Sequence, residues 1–539
     1  MIGSGGTASF GGSSGSGGVD ASGEPGGSSG SGGDIASGGS GGRGGSGGSG
    51  GNSRGGASGS GGATVRDGAA GTDDAAAVDA PVTDAAVDGP QEIDAGGVVH
   101  VWLTTRDLKN KMTRQTDVTP SGSGSATITF KDTSALQTID GFGASFTDTS
   151  AYLIYNKLSA TARAQVMSDL FSRTAGIGLS FMRVPMGASD FTQCACAFSY
   201  DDNGGQPDQT LANFSTAHDD AYIIPVIKQA QSINPQMVLV ASPWSPPAWM
   251  KTNNSMIGGS LNSTYNDALA QYFVKFLQEY AAKGVSVWGI TPQNEPDTAD
   301  VYPSSSWDAA HEATFIANNL APALNAAGLT DIKILARDDS QPDLTDAQTL
   351  FMNAEAVRAI HGTAWHCNRN GLSALESVYT YTRKPVYMTE CWNLTGDSSG
   401  QIQASMQGGA SAALLWNVAL DQNGGPKMAG KCRGCTGLVT IDTSSGNYAY
   451  TLEYYELAQF SKFIAPGARR VTSDDTGATG GISASAFRNP DGSDVVVVYN
   501  SSAVSKTFTL SWRGRGNFSY TLPALATVTF ADGTVVSGQ

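Results

Sequence analysis

Positive charge is scarce in this chain. Lys and Arg together number 32 against 48 Asp and Glu, the formal net charge is −16, and no basic cluster breaks the acidic background. Neutralising phosphates or an anionic bilayer takes clustered cations, so nucleic-acid binding and attachment to a charged membrane surface are argued against. No run of eighteen apolar residues occurs, so no segment reads as a transmembrane helix. Histidine is rare too: only five are present, and none stands with Asp, Glu or Cys at metal-ligand spacing. A metal-dependent hydrolase needs such a cluster. No metal and no cofactor are therefore expected.

Cysteine is sparse, with six in 539 residues: Cys194, Cys196, Cys367, Cys391, Cys432 and Cys435. The spacing of Cys432 and Cys435 fits a local disulfide, half of a zinc site or a redox pair. No second pair at finger or ribbon spacing accompanies it. The surrounding Gly424, Gly425, Pro426, Gly430 and Gly434 form a loop that a disulfide would pin. Cys194 and Cys196 are a second candidate pair, and disulfides would agree with an exported protein.

Glycine is abundant, by contrast, and its placement divides the chain. Residues 1–62 are almost wholly Gly and Ser, and 63–94 turn to Ala, Asp and Val without a usable period. Neither stretch carries enough apolar surface to offset its ordering entropy, so residues 1–95 are expected to be a disordered tether. The first residues have neither a charged n-region nor an apolar h-region. A long tether nonetheless suits an enzyme held away from a cell surface, so a secreted or surface location is expected, with a leader or anchor segment upstream.

Beyond the tether, residues 98–103 and 126–130 alternate in polarity like strands and precede any helix. From residue 137 the pattern becomes strand then helix. Strands are expected at 139–144, 180–186, 237–242, 285–290, 332–335, 362–365, 386–388 and 412–415. Among the helices, 265–283 places Leu269, Tyr272, Phe273, Phe276, Leu277 and Tyr280 on one face. Eight such units predict a (β/α)8 barrel over 137–436. Strands then recur at 437–441, 495–499, 508–512, 519–522 and 527–530. They predict a β-sandwich over 437–539, joined by the strands of 96–136.

Chemistry gathers at the expected strand ends. The strand 285–290 runs into Asn294 and Glu295 between Pro292 and Pro296, and 386–388 runs into Glu390. These two acids lie about three βα units apart, which sets them across a barrel mouth. Two facing carboxyls suit glycoside hydrolysis, one protonating the leaving oxygen and the other attacking the anomeric carbon or activating water. Trp244, Trp249, Trp392 and Trp416 fall at or just past strand ends, where rings stack on a pyranose or pack a core. Asp190, Asn294 and Asn417 offer hydrogen bonds to hydroxyls. His366 fits either a partner for a catalytic carboxylate or a core histidine. A carbohydrate-binding barrel without activity would have lost one acid, and both are present.

The stretches 140–144 with Thr147 and Asp148, 182–191, 241–253, 288–296, Thr389-Glu390 and 416–426 occur in this order. Together they resemble glycoside hydrolase family 30, the family of acid β-glucocerebrosidase, over residues 137–470. The resemblance implies a retaining mechanism with Glu295 as acid/base and Glu390 as nucleophile. It also implies that Asp190, Trp244, Asn294 and Trp416 hold the glucosyl unit, with Arg183 beneath the nucleophile. Two positions depart from the glucocerebrosidase pattern: Lys431 replaces an Asn that contacts the sugar, and Asn368 replaces a Tyr after His366. The Cys432–Cys435 loop resembles the microbial β-1,6-glucanases of the same family. The substrate is accordingly expected to be a β-1,6-glucan or a glucosylated lipid.

Overall fold

The computed structural model describes residues 97–367, 371–391, 396–428, 434–474, 480–513 and 515–532. The expected tether, and Asn368, Trp392, Lys431 and Cys432, lie outside the described residues. No helix among the described residues is long and apolar enough to cross a membrane.

Eight parallel strands close into a barrel: Gly141–Ser145, Phe181–Pro185, Val238–Ser242, Gly289–Ile290, Lys333–Asp339, Ile360–His366, Val386–Glu390 and Ala410–Asp421. Closure comes from the eighth strand, which pairs with the seventh at Ala410↔Val386 and with the first at Ala412↔Gly141. Phe181, Val240, Leu335, Ala364, Tyr387, Ala412 and Leu414 pack the interior, with the rings of Phe181 and Tyr387 stacked at 5.4 Å. Such layered filling makes the barrel a core rather than a pore. The helix Asn266–Ala282 turns Leu269, Tyr272, Phe273, Phe276, Leu277 and Tyr280 inward, all buried. That is the face its 3.6-residue period predicts.

Two expected strands are redrawn. Only Gly289–Ile290 of 285–290 is regular strand, because Gly284 in a left-handed turn (φ 77°) ends the preceding helix and Val285 N still bonds back to Tyr280 O. The ladder nonetheless starts earlier, through Trp288 N to Leu239 O and Lys333 N to Trp288 O. Residue 139, expected in the first barrel strand, instead ends the long strand Ile128–Ile139 and pairs with Ala468.

Among the described residues the second sheet orders nine strands, with His100–Thr105, Thr113–Arg114 and Ile128–Ile139 joining six from the C-terminal third. Phe508, Phe518 and Tyr520 near one end of this ladder pack on Phe530 near the other, at centroid distances of 6.2, 5.1 and 5.3 Å. The sheet therefore folds over its own core as a β-sandwich. Gly437–Ile441, expected as the first sandwich strand, runs parallel to the eighth barrel strand and extends the barrel sheet. A five-residue apolar strand carries no sign of which neighbour it will pair with.

The helix Leu452–Ser461 joins the two parts. Gln459 bonds Thr104 (2.8 Å) and Thr529 in the sandwich, while Phe460 packs on Phe142 of the barrel and Ser461 reaches Ile177 O.

Close strand packing sets the first prediction. A Cβ on Gly143 would lie 1.8 Å from the carbonyl oxygen of Phe181, a backbone atom that cannot rotate away. Gly143→Ala is expected to lower the unfolding free energy by about 3 kcal/mol or more, read from the denaturant midpoint. An unchanged midpoint would refute the strand spacing.

Candidate active site

The second strand ends beneath the mouth, and its Arg183 is fully buried there. Its guanidinium donates to Glu390 Oε2 at 2.7 Å, Asp338 Oδ2 at 2.6 Å, Asn294 Oδ1 at 2.6 Å and Ser242 Oγ at 3.2 Å. A fixed planar fork suits this many-sided role, which a lysine could not fill. Asp338, on the fifth strand, is the counterpart acceptor. It takes bonds from Arg183, Ser242, Thr291, His366 and Thr389. Burial alone would raise its pKa. The charge of Arg183 and the bonds from His366 and Thr389 overcome that and hold it far below the usual carboxylate range.

Asp338 was not singled out in the sequence. The run Arg337-Asp338-Asp339 at a strand end was visible, but the five donors come from five other segments. Backbone geometry marks the place as well: Glu295, Arg337 and Asp338 all have positive φ (44°, 76° and 64°). Such non-glycine conformations cost on the order of 1–3 kcal/mol each and persist where surrounding bonds impose them. Here Glu295 N donates to Asp338 O at 2.9 Å, and Asn294 N to Pro243 O at 2.8 Å.

Glu295 and Glu390 face each other. Ligand-capable atoms of Glu295, His366 and Glu390 lie within 4.8 Å of one another. Burial pushes the Glu390 pKa above the ordinary value, while His366 and Arg183 pull it down and Glu295 pushes it up. His366 sits between the acids, with Nδ1 3.3 Å from Glu295 Oε1 and Nε2 3.2 Å from Asp338 Oδ1. Burial opposes its charge, but Glu390, Asp338 and Glu295 outweigh burial and raise its pKa to about 10. Both ring nitrogens then donate. Tyr302, also missed in the sequence, donates to Glu295 Oε2 at 3.1 Å from a loop that carries no strand or helix pattern. Burial and the nearby Glu295 charge raise its pKa, so it stays a donor.

The apolar wall of the mouth comprises Phe191, Trp244, Tyr302, Trp416, Leu420, Met428 and Cys435. Trp244 and Trp416 stack on each other at 5.1 Å, with the Arg183 guanidinium 4.6 Å from the Trp244 centroid. Each is nearly buried, so these rings offer a sugar little more than their margins. Asp190 adjoins Phe191, and its carbonyl accepts from Met428 N. Trp249, expected at the mouth, lies in the main core and donates to Asp201 O. Asn417 accepts from Thr147 Oγ1 at 2.8 Å.

Two disulfides are described in full. Cys194–Cys196 is one of the expected pairs, and Cys367–Cys391 joins two residues that were not paired in the sequence. Cys435 is also disulfide-bonded. Asp297, Asp339 and Asp346 form a second acidic cluster, and all three accept from Arg337, whose guanidinium already occupies its centre.

Known proteins share this fold. The model of the glycosyl hydrolase family 30 TIM-barrel domain matches residues 139–464, and that of the family's β-sandwich domain matches 467–530. An endo-1,6-β-D-glucanase of Neurospora crassa is 35% identical over 406 residues, covering 71% of this chain and 83% of that one. The lysosomal acid glucosylceramidase of Mus musculus is 30% identical over 416 residues, covering 71% and 79%. Among solved structures, an endo-β-1,6-glucanase superposes with a TM-score of 0.74 at 28% identity, covering 81% of this chain and 100% of its own.

Two predictions arise here. His366 binds its proton more tightly in the folded chain, with a pKa of about 10 against an ordinary 6.5. Its contribution is thus complete below about pH 6.5 and lost as pH rises through about 10. The melting temperature is expected to fall between pH 7 and pH 10, and His366→Gln to flatten that fall; parallel profiles would contradict the charged histidine. Asp338→Asn removes one of the two buried carboxylates paired with Arg183, leaving Glu390 alone, and is expected to cost about 3–5 kcal/mol in unfolding free energy.

Proposed function

This chain belongs to glycosyl hydrolase family 30, and from that premise we propose that it is an endo-β-1,6-glucanase in which Glu390 is the nucleophile and Glu295 the acid/base. The observation that carries the roles is the short reach between the two acids, within 4.8 Å, with Glu390 tied to Arg183. Inverting enzymes hold their carboxyls about 6.5–9.5 Å apart to admit a water; a closer pair suits the double displacement of a retaining hydrolase.

In the first step a Glu390 oxygen attacks the anomeric carbon, the glycosidic bond breaks, and Glu295 gives its proton to the leaving oxygen. Arg183 holds Oε2, which turns Oε1 to the substrate. Tyr302 and the charged His366 both donate to the Glu295 carboxylate as it loses its proton. In the second step Glu295 takes a proton from water, the water oxygen bonds the anomeric carbon, and Glu390 is released. Asp190, Asn294, Trp244 and Trp416 bind the glucosyl unit in this reading. His366 uses both ring nitrogens within the pocket, toward Glu295 and Asp338.

The substrate choice rests on the endo-1,6-β-glucanases among the relatives, at 33–35% identity. Glucosylceramidases at 29–32% support a second reading, a glucosylated lipid. The disulfides Cys194–Cys196 and Cys367–Cys391 support export to an oxidising compartment, where a tethered enzyme would meet a polymer.

The test is hydrolysis of a linear β-1,6-glucan beside glucosylceramide in detergent, with Glu390→Gln as the blank. Oligosaccharides from the glucan, and an untouched lipid, are expected. Glu295→Gln is expected to slow turnover of an unactivated glucan by about 10²–10⁴-fold. Ceramide release without glucan cleavage would favour the second reading.

A further inference from the structure

His366 and Glu390 are the last residues of neighbouring strands, and the ladder between them is irregular. Met388 pairs with Trp365, but the next pairing is Glu390 with His366, a shift that leaves Thr389 opposite no residue. Regular strand pairing is therefore interrupted directly before the two residues whose spacing matters most. A cross-link lies just beyond the irregularity. Cys367 and Cys391, each one peptide bond beyond His366 and Glu390, are joined by a disulfide, with Cα atoms 5.2 Å apart. Cys367 N also donates to Glu390 O at 3.1 Å. Both cysteines are buried, unlike the exposed Cys194–Cys196 pair.

We propose that the Cys367–Cys391 disulfide is a positioning cross-link for catalysis, holding His366 and Glu390 at their working separation across the irregular end of the two strands. This rests on the assignment of Glu390 and Glu295 given above. A bond placed only for stability could close any loop. This one anchors the backbone directly after both groups, and His366 in turn holds Glu295 and Asp338. With the bond absent, the strand ends separate and the positive charge of His366 withdraws from Glu390. That charge lowers the Glu390 pKa, so its withdrawal raises the pH at which the nucleophile ionises. The chemical step suffers more than the binding of sugar, which draws on Trp244, Trp416, Asp190 and Asn294 as well.

The experiment compares the wild type with Cys367→Ser/Cys391→Ser on an aryl β-glucoside, measuring kcat, KM and the pH profile of kcat/KM, with Cys194→Ser/Cys196→Ser as the control. Expected for the 367/391 variant is a fall in kcat of tenfold or more, KM within twofold, and an acid limb moved to higher pH. The control should match the wild type. Unchanged kcat and an unchanged acid limb would overturn the proposal, as would a loss that follows thermal unfolding alone with an unmoved pH profile. Should the double variant fail to fold, the Cys194→Ser/Cys196→Ser enzyme is reduced with a thiol and reoxidised. Mass spectrometry follows the 367–391 bond. Activity falling and returning with that bond, on a time course distinct from that of the disulfide of Cys435, supports the proposal, and constant activity with the bond open overturns it. A Glu390→Gln variant that turns the glucoside over as fast as an active wild type would remove the site assignment itself, and the proposal with it.

Discussion

The guanidinium of Arg183 and the carboxylate of Asp338 meet at 2.6 Å with neither side chain exposed to water. Stripping two such ions of solvent costs several kcal/mol each, and their attraction offsets this only if the remaining valences are filled. They are filled from around the ring. Ser242, Thr291, His366 and Thr389 complete Asp338, while Glu390, Asn294 and Ser242 complete Arg183. A closed parallel barrel can bring six strand ends to one point, and an ion pair with this many partners needs such a scaffold.

The arrangement also explains where strain is tolerated. Glu295 and Asp338 adopt left-handed backbone conformations that their side chains disfavour, and each is bonded to the other through Glu295 N and Asp338 O. The buried network fixes Asp338, Asp338 fixes the turn of Glu295, and His366 bridges both. Glu295 and Glu390 are thus referred to one fixed point, although they stand on the fourth and seventh units of the barrel.

Much of this was legible in the sequence, for physical reasons. Strand and helix periods mark the eight units, and polar residues ending apolar strands mark Glu295 and Glu390. What escaped was non-local. Asp338 sits in an acidic run whose importance depends on donors from elsewhere in the chain. Tyr302 lies in a loop without a period. Cys367 and Cys391 are 24 residues apart, and only the alignment of two strand ends makes them neighbours. Trp249 was read as a mouth residue because it follows a strand, whereas the chain turns there and buries its ring beside Tyr265. The pairing of Gly437–Ile441 was invisible for the same reason.

The central claim is that Glu390, held by Arg183, attacks the anomeric carbon. Incubation with a 2-deoxy-2-fluoroglucoside bearing a good leaving group, followed by peptide mass spectrometry, tests it directly. A covalent fluoroglucosyl ester on Glu390, slow to hydrolyse, is the predicted result. Label on Glu295 or Asp338, or rapid turnover with no covalent adduct and an inverted anomer as first product, would contradict it.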